Sequence, residues 1–183
     1  MLRLASSSET RAMLLREAGI AFIQESVDFD EESIVASSPK NFVYQATVGK
    51  YEANFKAFGI DDCALLVADT VVTSQNQILR KAKCIDDARN ILMMQSDSVT
   101  SIITCFIYHA KDRKIVDISQ TDYIFDAFEP DDLEAYLESG EWRGKAGACM
   151  VEGFCKPYIK EVRGYESTAM GLSIEVLQCF GDL

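Results

Sequence analysis

Asp69 breaks an otherwise apolar run, "ALLVADTVV" (64–72). Its neighbours are apolar at both strand parities, so the run reads as a buried strand. A carboxylate there is costly unless it is paired, protonated or bound to metal. Asp69 is therefore a candidate metal ligand or general base; the plainer alternative is a strand residue turned to solvent. Arg11 is a second rule-breaker. It sits in the first turn of a predicted helix, where the helix dipole favours acids over bases, and shares a face with Leu14, Leu15 and Ala18. Either it snorkels to solvent or pairs with Glu9, or it serves an anion site. Such a site would combine a strand end, the serines of "SSSET", the helix N–H groups and a guanidinium fork. Ser6-x-x-Glu9 also fits a capping box, which accounts for one serine of three.

Three lysines and an acidic run complete the set. Lys50 lies late in a long predicted helix, Lys81 follows a short strand, and Lys145 sits in the glycine-rich "GEWRGKAGA". Each alone reads as a solvated surface cation; with Arg11 they would neutralise a polyphosphate. "VDFDEES" (27–33) reads as a solvated loop that would also add a second carboxylate to a magnesium site, where one or two carboxylates suffice.

The elements that must position these groups alternate. "LRLAS" is a short strand, residues 8–18 a helix stopped near Gly19, and "IAFIQES" a second strand. A long helix follows over 38–60, with Ser38 as N-cap, Pro39 in its first turn and Gly59 near its end. "CALLVADTVVTS" is a buried strand, "NQ" a turn and "ILRK" a short return strand. "CIDDARNILMMQS" is a helix. "VTSIITCFIYHA" and "KIVDISQTDYIFDAF" are strands joined by the turn "KDRK". "EPDDLEAYLESG" is a helix with acids in its first turn. The tail adds a strand near "PYIKEV" and a helix near "SIEVLQCF". This alternation means an α/β protein with a mixed sheet.

Composition narrows the function. The 183 residues suit one domain, 1–183, with a proper core. The charge of −11 argues against duplex DNA and anionic membrane as partners. No apolar run reaches the roughly 18 to 20 residues of a membrane helix, and the first residues lack a signal-peptide plan, so a cytoplasmic setting is expected. The six cysteines form no C-x-x-C and read as reduced thiols rather than bridges or zinc ligands. The single histidine, His109, ends an apolar run and reads as a strand-end surface residue, which gives a histidine-based triad little support.

In order along residues 4 to about 177, the unusual stretches resemble the motifs of the Maf family. "LASSSETRAMLL" is similar to L-A-S-x-S-x-x-R-x-x-L-L, and "FDEES" to the family's I-D-E loop. Lys50 falls on its late-helix lysine. "VADTVV" is similar to G-A-D-T-V-V, and "ILRKAK" to I-L-G-K-P. "YLESGEWRGKAGACMVEG" resembles Y-x-x-x-G-E-x-x-x-K-A-G-x-x-x-x-[QE]-G, and "MGLSIEVL" the closing V-G-L-P. The resemblance implies a Maf/inosine-triphosphatase-like α/β fold, a mixed sheet with flanking helices and a cleft between two lobes. It implies a homodimeric nucleoside triphosphate pyrophosphatase that releases a nucleoside monophosphate and pyrophosphate with a divalent metal, magnesium or manganese. By the same resemblance Asp69 is the proton acceptor and, with Glu31, holds metal. Ser8, Arg11, Lys50, Lys81 and Lys145 line the phosphate channel. Thr10, Thr70 and Glu152 bear on base choice.

The chain departs from that pattern in places. S-P-R-R is "SETR", the Arg-Leu-Ala before the lysine is "QAT", and H-x-V-y-T is "TSIIT", which keeps Thr104. Such erosion also suits a catalytically weak or inactive member that binds nucleotide and regulates septum formation. Relatives with Gln at the position of Glu152 favour pyrimidine nucleotides, and those with Glu favour 7-methyl-GTP. A carboxylate accepts from a guanine edge, but Thr10 replaces the aromatic that the second group places nearby.

Overall fold

The computed structural model describes residues 1–31, 34–149 and 151–180. The strands are β1 (Leu2–Leu4), β2 (Phe22–Gln24), β3 (Ala64–Ser74), β4 (Gln77–Ile78), β5 (Val99–His109), β6 (Lys114–Phe125) and β7 (Ile159–Arg163). The helices are α1 (Glu9–Glu17), α2 (Pro39–Phe58), α3 (Ile85–Met93), α4 (Pro130–Ser139), α5 (Glu166–Ala169) and α6 (Ile174–Gln178). The strands form one mixed sheet in the order β2-β1-β3-β5-β6-β7, with β4 on β3. This is the expected α/β class. A 3₁₀ turn at Lys156–Tyr158 and the short α5 were not anticipated; neither is long enough to show a helical period. No helix among the described residues is long and apolar enough to cross a membrane.

The chain divides into two compact units. The first comprises Met1–Thr70, Ile103–Gln120 and the chain from Tyr165; the second comprises Val71–Ile102 and Thr121–Gly164. In the first, β1 pairs in parallel with β2 and with β3, Leu4 lying opposite both Gln24 and Leu66. Strand alternation then sorts side chains between two faces. Leu66 and Ala68 of β3 and Phe106 of β5 pack with Ala12 and Leu15 of α1 and with Leu172 and Leu177. Leu65 and Val67 of β3 and Ile107 of β5 pack with Tyr51 and Val48 of α2 on the other. Helix α1 begins at an extended Ser8, whose side chain accepts from the Arg11 amide. Ser8 is thus the cap, and the Ser6–Glu9 box does not form. Helix α2 is capped by Ser38, with Pro39 at its start, as expected.

In the second unit β3 turns back into β4 through Gln75 and Asn76, both at positive φ (50° and 61°), the backbone twist a two-residue hairpin requires. The turn sits one residue earlier than expected. β4 is also shorter, with Lys81 making an isolated antiparallel bridge to Ala146. The expectation of six reduced cysteines is corrected. Cys149 and Cys155 form a disulfide, while Cys63, Cys84, Cys105 and Cys179 are free. The turns between the pair bring their Cα atoms to 6.4 Å, within disulfide reach, a closeness that C-x5-C spacing alone does not signal.

Candidate active site

Three charged groups of the first unit, Asp69, Lys50 and Glu31, meet, and Arg11 lines the same pocket as Lys50 and Glu31. Asp69, on β3, is 7% exposed. By alternation it follows Leu65 and Val67 onto the face that α2 covers. On α2, Val43, Thr47 and Asn54 form a buried stripe, and Lys50 stands three residues from Thr47 and four from Asn54, on the same stripe. Lys50 Nζ donates to Asp69 Oδ1 at 2.6 Å and lies 2.5 Å from Glu31 Oε1. Burial raises the Asp69 pKa above the ordinary carboxylate value, against the charge and hydrogen bond of Lys50; the Glu31 charge adds to the rise and that of Arg11 opposes it.

The loop that carries Glu31 is clamped onto α2. The Val27 amide donates to Asn54 Oδ1 at 3.0 Å, and Asn54 Nδ2 donates to the Lys50 carbonyl at 2.8 Å. Phe29 lies over Gly49, where a Cβ would overlap the ring. A mid-helix glycine costs roughly 1 kcal/mol against alanine; here it makes room for that ring. Glu32 and Ser33 of the acidic run lie outside the described residues.

Arg11 occupies the opposite face with Thr70, the next residue after Asp69. Its Nε donates to the Gly171 carbonyl at 2.8 Å, Nη1 to Ser6 Oγ at 3.0 Å and Nη2 to Thr70 Oγ1 at 3.2 Å. It neither snorkels nor pairs with Glu9, which lies 3.9 Å from Arg16 instead. Of five guanidinium N–H groups three are engaged, leaving one on each terminal nitrogen. Burial lowers the Arg11 pKa while Asp69 and Glu31 oppose that shift; an arginine stays charged through such a change.

Ser6, Ser7, Ser8, Arg11, Glu31 and Lys50 line one pocket of about 290 Å³. Thr10 is exposed beside it in sequence. Lys81 and Lys145 belong to the second unit, where the Lys81–Ala146 bridge and the Gly147 amide bond to the Arg80 carbonyl join their two segments. Glu152 is exposed in that unit, in the turn between the bonded cysteines. Asn54, Gly49 and Phe29 were missed by reading for chemistry; the signal for Asn54 was its place on the stripe of Val43, Thr47 and Lys50.

No three His, Cys, Asp or Glu side chains form a ready-made metal cage among the described residues. The donor set nevertheless fits a hard divalent cation. Asp69 and Glu31 already share one cationic group, Lys50 Nζ, and magnesium commonly takes one or two carboxylates with phosphate oxygens and water.

Comparison with known proteins places the chain among close relatives. The profile of the Maf-like protein family matches residues 1–180. A protein of a Nitratiruptor species, named nucleoside triphosphate pyrophosphatase, is 55% identical over 179 residues, 97% of this chain and 96% of the relative. A Helicobacter pylori protein of the same name is 40% identical over 95% of this chain and 91% of its own length. One from Campylobacter jejuni subsp. jejuni, again so named, is 36% identical over 98% of this chain and 100% of the relative.

Proposed function

The chain belongs to the Maf-like protein family, and from that premise we propose that it hydrolyses nucleoside triphosphates to a nucleoside monophosphate and pyrophosphate. The observation that carries this reading is the convergence of Lys50, Asp69 and Glu31, with Arg11, Glu31 and Lys50 lining one pocket. Arg11 presents two uncommitted N–H groups, a geometry suited to two phosphate oxygens. Lys50 supplies a compact charge. Together they offset the negative charge that grows on the departing pyrophosphate.

Asp69 takes the proton from the water that attacks the α-phosphorus, as the bond to the bridging oxygen breaks. Burial suits it to that task, because a desolvated carboxylate is a stronger base than an exposed one. Asp69 and Glu31 would also hold a divalent cation, magnesium or manganese, which when bound polarises phosphate oxygens and lowers the pKa of water. Motif resemblance assigns Ser8, Lys81 and Lys145 to phosphate binding, and it likewise implies a homodimer and a cytoplasmic setting.

The preferred base is a purine with hydrogen-bond donors on its edge, such as 7-methylguanine. An ionised Glu152 accepts and cannot donate, while Thr10 offers no ring to stack. The test is pyrophosphate release from a panel of standard and modified nucleotides with magnesium, manganese or chelator, using the wild type and Asp69→Asn. Turnover that is lost in the variant and without metal is expected. Nucleotide-induced thermal stabilisation without product would favour the non-catalytic regulator, and undiminished turnover in D69N would overturn the assignment of Asp69.

A further inference from the structure

The hydrogen bonds beneath Arg11 have a direction that can be counted out. Thr104 Oγ1 carries one proton and lies 2.7 Å from the Thr168 carbonyl oxygen, which only accepts. Thr104 therefore meets Thr70 Oγ1, 2.9 Å away, as the acceptor. The proton between the two threonines then belongs to Thr70. With its one proton committed, Thr70 turns a lone pair to Arg11 Nη2 at 3.2 Å. Each group donates to the next, from Arg11 through Thr70 and Thr104 to the Thr168 carbonyl. Thr104 and Thr168 are 0% and 1% exposed, so solvent offers Thr104 no substitute partner. Gly171 closes the cradle. Its φ is +106°, and a Cβ there would stand 3.3 Å from Thr70 Oγ1 and 3.4 Å from Arg11 Nε.

We propose that Thr104, anchored on the Thr168 carbonyl, is a positioning residue for nucleotide hydrolysis: it locks the Thr70 hydroxyl so that Arg11 keeps its two uncommitted N–H groups directed at phosphate. This rests on the reading of Arg11 as a phosphate ligand. Without the Thr104 oxygen the Thr70 proton loses its acceptor, the hydroxyl turns, and the guanidinium loses one of its three anchors. Thr70 therefore has no proton left to donate to a bound ligand.

The experiment compares kcat/KM for Thr104→Val and Thr104→Ser in the wild-type and Arg11→Met backgrounds, with folding followed by thermal melting. T104V is expected to lose about tenfold and T104S, which keeps the hydroxyl, less than about twofold. In the R11M background T104V is expected to change kcat/KM by less than about twofold, because the coupling passes through Arg11. The same comparison with Thr104→Ala covers a T104V that does not fold. Equal losses from T104V in both backgrounds, or a T104S as impaired as T104V, would overturn the proposal as a general structural effect. Wild-type kcat/KM in R11M alone would instead overturn the underlying reading of Arg11, and the proposal with it.

Discussion

Lys50 Nζ lies 2.6 Å from Asp69 Oδ1, and the same nitrogen holds Glu31. One ammonium thus orders two carboxylates from separate elements. Lys50→Met should lower kcat/KM by about 10²- to 10³-fold, since it removes a preorganised charge from the site. Steady-state kinetics on the best nucleotide of the panel checks this; a loss below about threefold would mean that Lys50 serves the fold alone.

Asp69 should weaken the fold that carries it. Its folded pKa is raised, first by burial, so between the unfolded and folded values the native state binds more protons than the unfolded one. Stability from this group is full below the ordinary carboxylate pKa and declines as pH rises through the folded value. At neutral pH the ionised side chain is a cost. Asp69→Asn is expected to melt higher than wild type at pH 7 in chelator and to lose that advantage near about pH 4, while its hydrolysis is abolished. Melting curves at both pH values decide the point.

Gly49 and Phe29 make a second cycle. G49A should lower the melting temperature, although alanine is the better helix former, because its Cβ meets the Phe29 ring. In a Phe29→Ala background the same change should raise it, since only helix propensity then remains. Melting the four proteins tests this, and a stabilising G49A in both backgrounds would contradict the packing argument.

His109 gives a pH-dependent term away from the site. Tyr51 Oη lies 2.8 Å from its Nδ1, and burial, then the Lys114 charge, lower its pKa. A depressed histidine binds fewer protons folded than unfolded. Its contribution is therefore full above about pH 6.5 and lost as pH falls through the folded value. The single histidine resonance makes an NMR titration direct, with a midpoint below the ordinary value expected. Part of the stability lost between pH 7 and pH 5 should disappear in His109→Gln.

Much of this protein was legible in its residues. Alternating periods marked the major elements, the caps at Ser38 and Pro39 marked the start of α2, and an acid in an apolar strand and a base in a first turn marked Asp69 and Arg11. These are local signals, written in a few consecutive side chains. Short pieces without a period, such as α5 and the 3₁₀ turn, were not legible, nor was the Cys149–Cys155 contact.

Tertiary structure alone decided which cation meets which partner. The consecutive residues Asp69 and Thr70 look alike in sequence as polar intrusions on one strand. A pleated strand sends them to opposite faces, one covered by α2 with Lys50, the other by α1 with Arg11. Sequence carries the period that separates them. Only the stacking of a helix on each face determines that the acid receives a lysine, while the hydroxyl receives an arginine and a relay that ends at Thr168.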